Sequence, residues 1–111
     1  MNGNILFIED DSDIRKVIST ALEDEGFVIH QFPTGELALE AFPKIEIDLA
    51  LIDLRLPGIS GLEVVRRLRS ITTAPLVILT AFGDSYDVVA GLEAGADDFL
   101  GKPIATKELS A

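Results

Sequence analysis

The sequence predicts an α/β fold built on an open parallel sheet with helices on both faces. Three observations carry that prediction. Short apolar blocks recur along the chain, each followed by a stretch with helical spacing. The blocks are continuous rather than alternating, which marks strands covered on both faces. One block is broken by polar residues, as a strand at the sheet's margin can be. Strict alternation of strand and helix implies parallel strands joined by right-handed crossovers. The 111 residues allow one domain, and the 48% that are apolar suffice for a core.

Each element can be justified in order. The first strand is read at residues 5–8, Ile5-Leu6-Phe7-Ile8. Ile14, Val17, Ile18, Ala21 and Leu22 then repeat at helix spacing, with Asp11, Ser12 or Asp13 as N-cap and Gly26 as stop. Residues 27–32 are the second strand; polar His30 and Gln31 place it at an edge. The second helix runs from Thr34 to Phe42 and ends at Pro43. The third strand is read at 49–52, and Leu62, Val65 and Leu68 mark a third helix begun near Gly61. The fourth strand is 76–79. Asp84 or Ser85 caps a fourth helix, which runs through Val89 and Leu92 to Gly95. Phe99-Leu100 is the fifth strand. A fifth helix starts near Thr106 and is read as truncated at Ala111, so residues 1–111 are expected to be one domain without an output domain. With the weak second strand outermost, the sheet order becomes 2-1-3-4-5, a flavodoxin-like doubly wound arrangement. Its topological switch point lies between strands 1 and 3, and ligands should bind beyond the carboxyl ends there.

Composition excludes several functions. The chain has no cysteine, which removes disulfides, thiolate metal sites and cysteine nucleophiles. A single histidine, His30, rules out a site of paired histidines and is read as an edge-strand residue. Nineteen acidic residues against nine basic ones give a net charge of −10, which disfavours direct contact with nucleic acid. No apolar run is long enough for a membrane span and the start lacks a signal peptide's pattern, so the chain is read as soluble and cytoplasmic, without a membrane partner.

The candidate chemistry lies at the strand ends. Strand 1 is followed by Glu9-Asp10-Asp11, strand 3 by Asp53, strand 4 by Thr80 and strand 5 by Lys102. Separate segments thus bring several carboxylates, a hydroxyl and an ammonium to one crevice. Clustered carboxylates repel one another unless a cation intervenes, and a hard divalent cation such as Mg²⁺ suits oxygen ligands. Each residue also has a plain reading: Asp11 as a helix cap, Asp53 as a turn residue, Thr80 as a loop hydroxyl, Lys102 as a surface lysine. Asp11 is best read as a cap. A lone carboxylate would be costly after an apolar strand, which speaks for a role at Asp53. Thr80 and Lys102 are raised to candidates only by the joint pattern. Gly58 and Gly61 are expected to serve the backbone of the loop after Asp53, and Glu23-Asp24-Glu25 to be a solvated helix end.

The run Glu9-Asp10-Asp11, Asp53 in Asp53-Leu54-Arg55-Leu56-Pro57-Gly58, Thr80-Ala81, and Phe99-Leu100-Gly101-Lys102-Pro103 together resemble the response regulator receiver domain of two-component systems. The resemblance implies that Asp53 accepts a phosphoryl group from the phosphohistidine of a sensor histidine kinase. It implies Mg²⁺ held by Glu9, Asp10, Asp53 and the backbone carbonyl of Arg55, with Glu9 acting through water. Lys102 would neutralise the phosphoryl oxygens, and Lys102-Pro103 resembles the family's cis peptide. Thr80 and Phe99 would be the switch pair, Phe99 being part core and turning inward on phosphorylation to fill the space that Thr80 vacates. At the position of Arg55, a long cation is expected to shield the phosphorus from water and slow self-dephosphorylation. The stretch from Gly91 to Phe99 resembles the subgroup fused to winged-helix DNA-binding domains. In that subgroup a homodimer forms through the fourth helix, fifth strand and fifth helix, basic residues of the fourth helix pairing with acids such as Asp97. Here Val88 and Ala90 stand at the basic places. DNA would be met only through an absent output domain.

Two other classes use similar topology. An aspartyl-nucleophile phosphatase would carry a second acid two residues after the nucleophile, where this chain has Arg55. A flavodoxin-like cofactor binder would need a hydroxyl- and glycine-rich phosphate cradle after strand 1, where this chain has Glu9-Asp10-Asp11. The reading is therefore a phosphoacceptor signalling domain rather than an enzyme, with no organic cofactor.

Overall fold

The computed structural model describes residues 3–81 and 85–102. Five parallel strands form one sheet in the order β2-β1-β3-β4-β5. They are β1 (Asn4–Ile8), β2 (Val28–Phe32), β3 (Leu49–Asp53), β4 (Leu76–Ala81) and β5 (Asp98–Lys102), alternating with helices α1 (Ser12–Asp24), α2 (Gly35–Ala41), α3 (Gly61–Arg69) and α4 (Ser85–Ala94). Pro43 does not end α2 abruptly. It sits in a short 3-10 turn, Phe42–Lys44, that extends it. The expected fifth helix, Pro103 and the Asp84 cap lie outside the described residues. Among the described residues no helix is long and apolar enough to cross a membrane.

The pleat divides the core. Leu6 and Ile8 of β1, Ala50 and Ile52 of β3, and Leu76 and Ile78 of β4 face one side, where Ala38 of α2 and Val64, Val65 and Leu68 of α3 cover them. Ile5, Phe7, Leu51, Val77 and Leu79 face the other, against Ile18 and Leu22 of α1. Period-two alternation within unbroken apolar strands thus feeds two separate layers.

The helix caps follow local chemistry. The Asp11 carboxylate accepts from the backbone N–H of Asp13 and Ile14, Thr34 Oγ1 from Leu37, and Ser60 Oγ from Glu63. Each satisfies N–H groups that a helix start leaves unpaired.

Two helical faces differ from the apolar pattern. Val17 of α1 is exposed, the buried stripe being Ile18, Ser19 and Leu22. In α4, Val89 and Leu92 are exposed, and the helix meets the sheet at Gly91, where any Cβ would collide with Ile78 Cδ1. α4 approaches through its smallest residue, so its larger apolar side chains turn outward.

The opposite end of the sheet from the strand 1 acids is held by Arg69. Its Nη1 donates to Gly95 O at 3.1 Å and to Asp97 Oδ2 at 2.9 Å, and its Nη2 donates to the carbonyls of Thr72 and Ala74 at 2.8 and 2.9 Å. Asp97 Oδ2 also accepts from the Leu76 N–H at 2.8 Å. That backbone donor chiefly holds the Asp97 carboxyl below its ordinary value; burial opposes it, and the guanidinium adds to the lowering. Asp97 is therefore engaged within its own chain while its side chain stays half exposed. Its neighbour Asp98 is exposed, with Oδ1 accepting from the Phe99 N–H at 2.8 Å. On the surface of α3, Glu63 is held below the usual carboxylate range by hydrogen bonds from Arg67 and Arg66.

Candidate functional site

The carboxyl ends of β1 and β3 are neighbours, since Ile8 pairs with Ile52. Glu9 follows β1 directly and Asp53 closes β3, so topology alone brings them to one crevice. Carboxylate oxygens of Glu9, Asp10 and Asp53 all lie within 4.8 Å of one another. Glu9 is fully buried, Asp53 is 2% exposed and Asp10 is open to solvent. The set is all oxygen, with no sulfur or nitrogen, and mixes buried anchors with a solvent-facing acid. That donor chemistry fits a hard divalent cation that keeps water ligands, as Mg²⁺ does.

The backbone around the site is tightly held. The Glu9 N–H donates to Phe32 O at 3.1 Å, and Arg15 Nη1 donates to Glu9 O at 2.7 Å, so α1 and β2 both fix the segment. Glu9 Oε2 accepts from the Asp11 N–H at 3.3 Å. After Asp53, Leu54 continues the ladder by donating to Leu79 O at 3.2 Å. The Arg55 N–H donates to Asp53 Oδ1 at 3.0 Å, which orients the carboxylate. The start of α3 then passes so close that a Cβ on Gly61 would collide with the Asp53 carbonyl oxygen. Only glycine permits that approach. Gly58 turns the loop with φ +72° beneath the Glu36 carboxylate, which accepts from the Ile59 N–H at 3.0 Å. Both glycines thus serve the loop as the sequence implied.

Thr80 is buried one position beyond the Asp53–Leu79 pair, beside the acidic crevice. The backbone of Lys102 pairs with Ala81 at the carboxyl end of β5, and its side chain lies outside the described residues. Phe99 differs from expectation. It is 42% exposed and belongs to neither core cluster, although it pairs with buried Ile78, because β5 is the last strand of the sheet. His30 sits on edge strand β2, with Nε2 3.4 Å from Asn4 Oδ1.

Two residues with no role in the sequence reading enter here. Asp87, in the first turn of α4, receives the Arg55 guanidinium: Nε and Nη2 each lie 2.9 Å from its Oδ2. The expectation that Arg55 shields the phosphorus therefore meets a competing partner. Glu36 reaches across from α2 to hold the loop. Thirty-two and twenty-three residues separate these contacts in sequence, beyond the range of any local pattern.

The fold and this site can be set against known proteins. The family model described as the response regulator receiver domain matches residues 5–111. The transcriptional regulatory protein CseB of Streptomyces coelicolor is 47% identical over 100 residues, covering 90% of this chain and 43% of that protein. The DNA-binding response regulator MtrA of Mycobacterium tuberculosis is 43% identical over 111 residues, covering the whole chain and 49% of that protein. The chain thus spans less than half the length of these relatives. Among solved structures, that of a putative response regulator from Chloroflexus aurantiacus superposes with a TM-score of 0.93 at 34% identity, covering 99% of this chain and 93% of the other. A family match over nearly its whole length, on the expected topology and with acidic residues at the expected strand ends, places the chain in the response regulator receiver domain family.

Proposed function

We propose that the chain accepts a phosphoryl group on Asp53 from a phosphohistidine of a sensor histidine kinase. The observation that carries this reading is the convergence of Glu9, Asp10 and Asp53 beyond the ends of β1 and β3. An Asp53 carboxylate oxygen attacks the phosphorus, the P–O bond forms as the P–N bond breaks, and the imidazole nitrogen leaves with the electron pair. The Arg55 N–H on Oδ1 fixes the carboxylate before attack. Asp10, Asp53 and the carbonyl of Arg55 would hold Mg²⁺, with Glu9 acting through water. When bound, the cation neutralises charge on the phosphoryl oxygens. Lys102 serves the same end as a point charge, and Thr80 bonds a phosphoryl oxygen after transfer. Phe99 begins exposed and turns inward with Thr80. The domain assists only its own phosphorylation and dephosphorylation and turns over no substrate.

The regulator works in the cytoplasm, and its output is transcription through a DNA-binding domain, as the names of its relatives suggest. A homodimer through α4 and β5 suits the exposed Tyr86, Val89 and Phe99, with Asp98 rather than Asp97 as the acid at hand. With Mg²⁺ and acetyl phosphate, intact-mass analysis should show one added phosphoryl group in the parent and none in Asp53→Asn. Single-site labelling that persists in Asp53→Asn would overturn the assignment.

A further inference from the structure

The cation beside the acceptor is held from the far side of a cleft. Arg55 starts next to Asp53, with its N–H on Oδ1 at 3.0 Å, yet its guanidinium lies on Asp87 of α4 at 2.9 Å. The pair borders a cleft of about 250 Å³ lined also by Leu54, Ser60, Leu62 and Ala90, between the loop after β3 and the α4 helix. Asp87 is the more sheltered partner, its side chain 25% exposed against 68% for Arg55. The carboxylate is thus the fixed member and the arginine the one that can swing.

We propose that Asp87 is a positioning residue for the phosphorylated site: it acts through Arg55, drawing the guanidinium toward α4 and so setting how fast the acyl phosphate is lost to water. The inference rests on Asp53 being the phosphoryl acceptor. In that loss a water oxygen attacks the phosphorus, the bond to the Asp53 oxygen breaks, and the carboxylate leaves with the electron pair. Orthophosphate is released and a proton passes to solvent. A phosphoryl group on Asp53 places up to two negative charges near the root of the Arg55 side chain. It then competes with Asp87 for one guanidinium, whose planar donors suit phosphoryl oxygens. Where Asp87 wins, the path of the water stays open; where the phosphoryl group wins, the side chain lies across it and α4 loses a tie in its first turn.

Acyl-phosphate lifetimes of the parent, Asp87→Ala, Asp87→Asn, Arg55→Ala and the Arg55→Ala/Asp87→Ala double variant test this. Removing the Asp87 charge should lengthen the lifetime about two- to fivefold, the factor an ion pair of this exposure commands. The same change in the Arg55→Ala background should have no effect, and Asp87→Glu should restore the parent's rate. The difference between parent and Asp87→Asn should shrink at high salt, which a purely structural role would not produce. Equal effects of Asp87→Ala with and without Arg55, or no effect in the parent, would overturn the inference while leaving Asp53 as acceptor. A parent that takes up no phosphoryl group, or takes it up elsewhere, would overturn the function reading and this inference with it.

Discussion

Of the three clustered carboxylates, Asp10 alone faces solvent, while Glu9 and Asp53 sit buried behind it. Asp10→Asn should therefore leave the fold intact and weaken Mg²⁺ binding by roughly tenfold or more, the lower range for a lost metal-site partner; calorimetric titration would read it. Unchanged affinity would remove Asp10 from the ligand set. The clustering of Glu9, Asp10 and Asp53 was legible because each stands at the carboxyl end of an apolar strand, so that order along the chain becomes proximity in space. Asp87 and Glu36 were not legible. An acid in a helix's first turn is already favoured locally by the helix dipole, and nothing in the sequence links Asp87 to Arg55. The exposure of Phe99 was not legible either: an aromatic in an apolar run reads as core, but β5 lies at the margin of the sheet, where cover is incomplete.

At the level of elements, the strands were readable because a continuous apolar run of four residues between helical stretches fits little besides a buried strand. The α4 helix was readable as a helix but not in its orientation. Its contact with the sheet is made by Gly91 against Ile78, while Val89 and Leu92 are exposed. Hydrophobic periodicity points to the wrong face where the buried residue has no side chain. The same packing leaves α4 held by fewer large buried groups than α3, whose Val64, Val65 and Leu68 are fully buried. A segment with few buried apolar contacts is the one to move first. Addition of beryllofluoride with Mg²⁺ should therefore shift the backbone amides of α4 and Phe99 more than those of α1 and α2 in two-dimensional NMR spectra. Shifts confined to residues 53–61 would show that the site binds without moving α4.

For the molecule as a whole, acid sensitivity should report the clamp at the base of the sheet. Asp97 is held below its ordinary value of 3.8 by the Leu76 N–H and by Arg69. It is thus more ionised in the folded chain than in the unfolded one near that pH. The stability it contributes is fully present above the unfolded value and is lost as pH falls through the lower folded value. Asp97→Asn should be less stable than the parent at pH 7, by no more than about 1 kcal/mol for so exposed a pair. In urea titrations the gap should narrow only as pH falls below 3.8 and through the lower folded value. A gap independent of pH would assign the loss to packing rather than charge.

That clamp also has a mechanical meaning for α4. Arg69 grips Gly95 O and Asp97 just past the helix's last residue, while Ser85 begins it ten residues earlier. At 1.5 Å per residue the helix is an arm of about 15 Å, with its fulcrum at the Arg69 end. A rotation of about 10° about that fulcrum carries Ser85 through roughly 2.6 Å and Asp87 through roughly 2.1 Å, while Ala94 hardly moves. The two ends of one helix are thus held differently, the last turn by Arg69 at the base of the sheet and the first turn through Asp87 by Arg55, so a force applied near Asp53 would act at the long end of the lever.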